Sequence, residues 1–97
     1  MSKEEILNKI VENKSEVKKL GVKKLGLFGS YAKGQEKQGS DVDILVEFKK
    51  KTFDNYIDLK FLLEKLLGTK VDLVIQEAIK PRLKALIMKE VVYAKGL

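Results

Sequence analysis

Apolar positions along this chain recur with two different periods, and the switches between them mark its elements. Ile6, Leu7, Ile10, Val11, Val17 and Leu20 fall at helical spacing. Ser2 stands before this stretch and Glu5 three positions later, a capping box in which each side chain satisfies the other residue's backbone N–H. The pattern predicts one helix ended by Gly21. Val22 to Phe28 is a short β-like run leading into Gly29, where the chain must turn sharply. Ser30 to Lys33 reads as a single helical turn, and Gly34 to Gly39 as a polar loop. From Asp41 to Phe48 the period is two. Val42, Ile44 and Val46 form the buried face of this strand, with Asp41, Asp43, Leu45 and Glu47 on the other.

Lys49-Lys50-Lys51-Thr52 is a charged connection. Asp54 reads as the N-cap of a helix running through Leu67, with Ile57, Phe61, Leu62 and Leu66 on its apolar face and Gly68 closing it. Lys70 to Ile75 is a third strand, Asp72 and Val74 on one side, Val71, Leu73 and Ile75 on the other. Pro81 suits the first turn of a last helix whose buried stripe is Leu83, Leu86 and Ile87. Val91 to Ala94 reads as a final edge strand. There is no internal repeat, low-complexity tract or interdomain linker, so residues 1–97 read as one domain. Strands alternating with helices point to an α/β architecture.

Composition narrows the chemistry more than the fold. With 97 residues, 44% hydrophobic and 35% charged, the chain suits one modest globular core. No run approaches the about 18 apolar residues of a membrane span. The start, Met1-Ser2-Lys3-Glu4-Glu5, is too polar and acidic for a secretory signal. Cysteine is absent, which removes disulfide and thiolate chemistry and suits a reducing cytoplasm. Histidine is absent too, which excludes a histidine general base and most zinc sites. Carboxylates on a hard cation remain the natural apparatus. The net charge of +6 comes almost wholly from lysine, with Arg82 the single arginine. It reads as a solvated lysine-rich surface, because the aromatic-basic interleaving of nucleic-acid binders is missing. Nucleic acid is therefore not an expected partner.

The informative segment is Gly29-Ser30-Tyr31-Ala32-Lys33-Gly34, followed after a polar spacer by Ser40-Asp41-Val42-Asp43. A glycine-hinged turn can present backbone N–H groups to a polyphosphate. Asp41 and Asp43 stand at strand spacing and so project side by side. Two acids held together repel unless a cation or proton offsets them. Asp72, on a neighbouring strand, would complete a three-carboxylate cluster able to hold two magnesium ions. Ser40 reads as a loop-shaping residue, Glu47 as a solvated one, and Tyr31 as a packing residue.

The spacing Gly-Ser-x(9)-Ser-Asp-x-Asp, with the later Lys70-Val71-Asp72-Leu73-Val74, resembles the DNA polymerase β nucleotidyltransferase superfamily. Within it the chain is most similar to the minimal nucleotidyltransferases, small proteins paired with helical HEPN-domain partners. The resemblance implies an α/β (α+β) palm, a small mixed β-sheet with helices packed on one face, without the helical domain that larger relatives add. It implies that Asp41, Asp43 and Asp72 are catalytic metal ligands for Mg²⁺. Gly29, Ser30 and Lys33 would bind the β- and γ-phosphates of the nucleotide. The family most often has arginine where this chain has Lys33, which keeps the charge and loses the planar fork. The implied reaction moves AMP from ATP to a hydroxyl, commonly a tyrosine of the HEPN toxin, so that the protein acts as an enzymatic antitoxin. The rival reading is a non-catalytic module that neutralises its partner by binding, though degenerate members of that kind tend to lose acids retained here.

Overall fold

In the computed structural model, which describes residues 1–97, Ser2 Oγ accepts the Glu5 N–H at 3.2 Å. Glu5 Oε1 in turn accepts the Ser2 N–H at 3.3 Å. This capping box opens α1 (Lys3–Glu12). The predicted single helix is in fact two, because the chain breaks at Asn13 before α2 (Lys14–Lys19). Asn13 Nδ2 donates to the Lys9 carbonyl at 2.8 Å, the local competition with backbone pairing that makes asparagine a poor interior helix residue. Ile6, Ile10 and Val17 are nevertheless all buried, so the apolar face runs on across the break.

The first strand, β1 (Val22–Phe28), carries a bulge: its pairing with β2 (Val42–Phe48) slips between Val22 and Lys24. The extra residue leaves Lys23 and Lys24 both exposed and turns Val22, Leu25 and Leu27 toward the core. A short helix, α3 (Gly29–Lys33), follows at once and ends at Gly34 in the left-handed conformation. Strand β2 begins at Val42, one residue later than predicted, so that Asp41 stands at its mouth.

Helix α4 (Phe53–Leu67) differs from its predicted form in two ways. Its N-cap is Thr52, whose Oγ1 accepts the Asn55 N–H at 3.0 Å, and Asp54 lies in the first turn, where its charge faces the positive end of the helix. Its buried stripe is Leu59, Leu63 and Leu67, while Phe61 is 63% exposed and Ile57, Leu62 and Leu66 are only half-buried. Apolar residues occupy too much of this helix's circumference for spacing alone to single out the core face.

Strand β3 (Val71–Ile75) leads through a 3-10 turn (Gln76–Ala78) into α5 (Pro81–Glu90) and the edge strand β4 (Val92–Tyr93). No residue of α5 is buried, and Leu83 and Leu86, predicted to be core, are exposed. The sheet order is β3-β2-β1-β4, with β2 and β3 parallel and the other pairs antiparallel. One sheet face, including Val42, Ile44 and Val46, joins Ile6 and Ile10 of α1, Val17 of α2 and the α4 leucines in a continuous core. The opposite face carries Asp43, Leu45 and Glu47 of β2. No helix is long and apolar enough to cross a membrane.

Candidate active site

Everything at the site hangs on how the ends of three strands line up. Asp43 pairs in register with Phe28 on one side and with Asp72 on the other. Phe28 is the last residue of β1, so the chain turns at Gly29 directly beside the Asp43 carboxylate. Gly29 has φ +75°, and a Cβ added there would run into Asp43 Oδ2. Glycine is therefore required twice, by backbone conformation and by the acid packed against it. The motif glycine and the motif aspartate form one local device.

Asp43 is half-buried, Asp41 and Asp72 exposed. The Asp43 pKa is pushed up to about 6, first by burial, then by the negative charges of Asp72 and Asp41, by a side-chain hydrogen bond with Asp72, and by Glu90. The sequence-predicted acids thus share one end of the sheet and act on one another. No three acids of the chain stand at metal-ligand spacing: Asp43 and Asp72 are the close pair, and Asp41 joins them electrostatically. Hard carboxylate oxygens whose repulsion adds to burial in raising a pKa are a donor set that a divalent cation would relieve, and the residues fit Mg²⁺ on that ground.

The phosphate side of the predicted site is α3. The Gly29 N–H and the Lys33 ammonium both face one group, and that group is Glu90, which the sequence reading missed. Glu90 Oε1 accepts the Gly29 N–H at 2.9 Å. Glu90 Oε2 lies 3.0 Å from Lys33 Nζ. The Lys33 ammonium and the Gly29 N–H hold the Glu90 carboxyl below its ordinary pKa, against a smaller opposing effect of burial. Only the pairing of the sheet accounts for this contact. β4 pairs antiparallel with the end of β1, Gly26 opposite Tyr93 and Leu27 opposite Val92, so the residues just before β4 must lie beside the residues just after β1.

The remaining assignments are plainer. Ser40 Oγ accepts the Lys37 N–H at 2.9 Å and so shapes the loop before the acids. Glu47 makes a surface ion pair with Lys23 at 3.7 Å. Tyr31 is buried in the core cluster. An open apolar cleft between the start of α4 and β3, lined by residues including Phe53, Tyr56, Leu73 and Ile75, contains none of the acids.

Comparison with known proteins identifies the family and the fold. Protein adenylyltransferase MntA of Thermococcus cleftensis is 41% identical over 92 residues, 93% of each chain. A solved structure described as a candidate minimal nucleotidyltransferase superposes with a TM-score of 0.83 at 32% identity, over 95% of both chains. Two more distant structures share the fold, each at 22% identity. One is a toxin–antitoxin crystal structure with AMP-PNP, at a TM-score of 0.70 over 100% of this chain and 75% of that one. The other is a complex of MNT antitoxin with tri-AMPylated HEPN toxin from Shewanella oneidensis, at 0.59 over 89% and 71%. The family model for the nucleotidyltransferase domain matches residues 5–94. With its glycine turn seated against a strand-borne aspartate pair, this chain belongs to the nucleotidyltransferase domain family.

Proposed function

We propose that residues 1–97 act as one minimal nucleotidyltransferase domain that moves AMP from ATP to a tyrosine hydroxyl of a HEPN-type helical partner, and so serves as its antitoxin. The observation that carries this reading is the register of Asp43 with Asp72 beside the Gly29 turn, which sets carboxylates against phosphate donors. The name of the Thermococcus relative, a protein adenylyltransferase, and the AMPylated HEPN toxin of the Shewanella complex support the acceptor class. The AMP-PNP of the second toxin–antitoxin structure supports an adenine nucleotide as donor.

In this reading Asp41, Asp43 and Asp72 would hold magnesium, two ions in the full arrangement, once a cation draws the three carboxylates closer together than they stand in the metal-free chain. When bound, Mg²⁺ supplies positive charge that steadies the triphosphate and favours ionisation of the attacking hydroxyl. Gly29 and Ser30 offer backbone donors and a hydroxyl to the β- and γ-phosphates, and Lys33 offers its ammonium. The tyrosine oxygen, its proton passed to water, attacks the α-phosphorus, the bond from that phosphorus to the α,β-bridging oxygen breaks, and pyrophosphate leaves. The chain's own task is to hold the triphosphate so that this bond lies in line with the acceptor, which the partner must present. Absence of cysteine and histidine suits such chemistry in a reducing cytoplasm.

Intact-mass measurement of a purified HEPN partner after incubation with this chain, ATP and Mg²⁺ tests the reading. The result expected is one or more AMP additions, mapped by peptide sequencing to tyrosine and absent with EDTA. A stable complex whose partner gains no mass would instead favour neutralisation by binding alone.

A further inference from the structure

Glu90, at the end of α5, reaches across 61 positions of sequence to the glycine turn and takes two donors at once. The Gly29 N–H meets one of its oxygens and the Lys33 ammonium the other, at 2.9 and 3.0 Å. A carboxylate so placed presents what a phosphate would present there, two anionic oxygens against a backbone N–H and an ammonium. The single Gly29 N–H cannot serve both anions, and an ammonium turned toward Glu90 has less of its charge to offer a phosphate. Glu90 also adds its charge to the field around Asp43. Its side chain is 24% exposed, and it sits on the one long helix with no buried residue, so it can leave at little packing cost.

We propose that Glu90 is a built-in competitor for the triphosphate: its carboxylate occupies the Gly29 and Lys33 donors until the nucleotide displaces it, and so lowers nucleotide affinity. This rests on the phosphate site proposed above. Nucleotide binding and the position of the Glu90 side chain are then linked, because the one Gly29 N–H cannot hold Glu90 and a phosphate together.

Calorimetric titration of the full chain and of Glu90→Gln with AMP-PNP and Mg²⁺ tests the proposal, with AMP as the control lacking β- and γ-phosphates. Glutamine keeps an acceptor for Gly29 and loses the charge that holds Lys33. The variant should bind AMP-PNP about fivefold more tightly, as removal of a modest closed-state bias requires, with AMP affinity unchanged. The Gly29 amide resonance should move on substitution and, in the wild type, shift again on adding AMP-PNP. Glu90→Asp, one methylene shorter and unable to span both donors, should also tighten binding and serves if Glu90→Gln does not fold. Equal or weaker AMP-PNP binding by a variant that melts like the wild type would overturn the proposal, since Glu90 would then be bracing the turn or binding the cation. If neither wild type nor variant binds AMP-PNP, the nucleotide site itself falls and the competitor with it. If the wild type binds and the variant gains nothing, only the competitor falls.

Discussion

Gly29 and Asp43 constrain each other so tightly that each predicts the consequence of changing the other. Alanine at position 29 would have to adopt a positive φ and push aside the Asp43 carboxylate. We expect Gly29→Ala to lower stability by about 1–3 kcal/mol, read by urea unfolding, from backbone strain and the clash together. The double variant Gly29→Ala/Asp43→Ala should recover part of the loss, because the clashing carboxylate is gone. Asp43 itself sets a pH dependence. Its pKa in the folded protein is about 6, above the ordinary 3.8, so the folded state binds this proton more tightly than the unfolded chain does. The resulting stabilisation is fully present below about pH 4 and lost as the pH rises through about 6. Solvent screening at a half-exposed site keeps it on the order of 1 kcal/mol. Glu90, whose pKa is lowered, works in the opposite direction, its contribution being lost as the pH falls, so the effect of Asp43 is best isolated by difference. Metal-free melts of wild type and Asp43→Asn from pH 4 to 7 should converge at the acid end and separate in favour of the variant toward pH 7. Curves that run parallel would show that Asp43 is not perturbed.

At the scale of elements, α4 separates what spacing reveals from what it conceals. The hydroxyl of Thr52, not the carboxylate of Asp54, caps the helix. Thr52→Ala should therefore cost about 1 kcal/mol and Asp54→Ala no more than a few tenths, compared by chemical denaturation. Leu63→Ala should cost about 2–5 kcal/mol, because that side chain is fully buried, whereas Phe61→Ala should change stability by less than about 0.5 kcal/mol. The strands were legible in the sequence to within a residue or so, since short apolar runs bounded by glycine and lysine leave little choice of ends. So were the capping box, Gly68 at the end of α4 and Pro81 at the start of α5, all local devices. The core face of α4 was not, because Phe61, Leu62, Leu63, Leu66 and Leu67 offer several equally apolar stripes. Leu83 and Leu86 misled for the opposite reason: their helical spacing is sound, but α5 lies where the fold has no core for them to enter. Glu90 stayed hidden because its partners are set by the pairing of β4 with β1, which no window along the chain contains.

In the whole molecule, the two sheet faces divide the labour. One is sealed by α1, α2 and α4 into a dry core that fixes strand register. That register sets Asp43 against Asp72 and brings the Gly29 turn to the same end of the sheet. The acids were readable as a candidate site because strand period and motif spacing place them; what the fold adds is the burial and mutual repulsion that raise the Asp43 pKa, and the Glu90 carboxylate seated on the Gly29 N–H and the Lys33 ammonium. If the acids hold a cation and the glycine turn a polyphosphate, as proposed above, the site should cost stability when neither is present. The measurement that bears most directly on this pairs a metal-free thermal melt with an AMP-transfer assay on one preparation of Asp43→Asn, using the HEPN partner, labelled ATP and Mg²⁺. The variant should melt level with or above wild type, with a gain on the order of 1 kcal/mol, while transfer collapses. A clearly lower melting temperature, or transfer near the wild-type level, would contradict it.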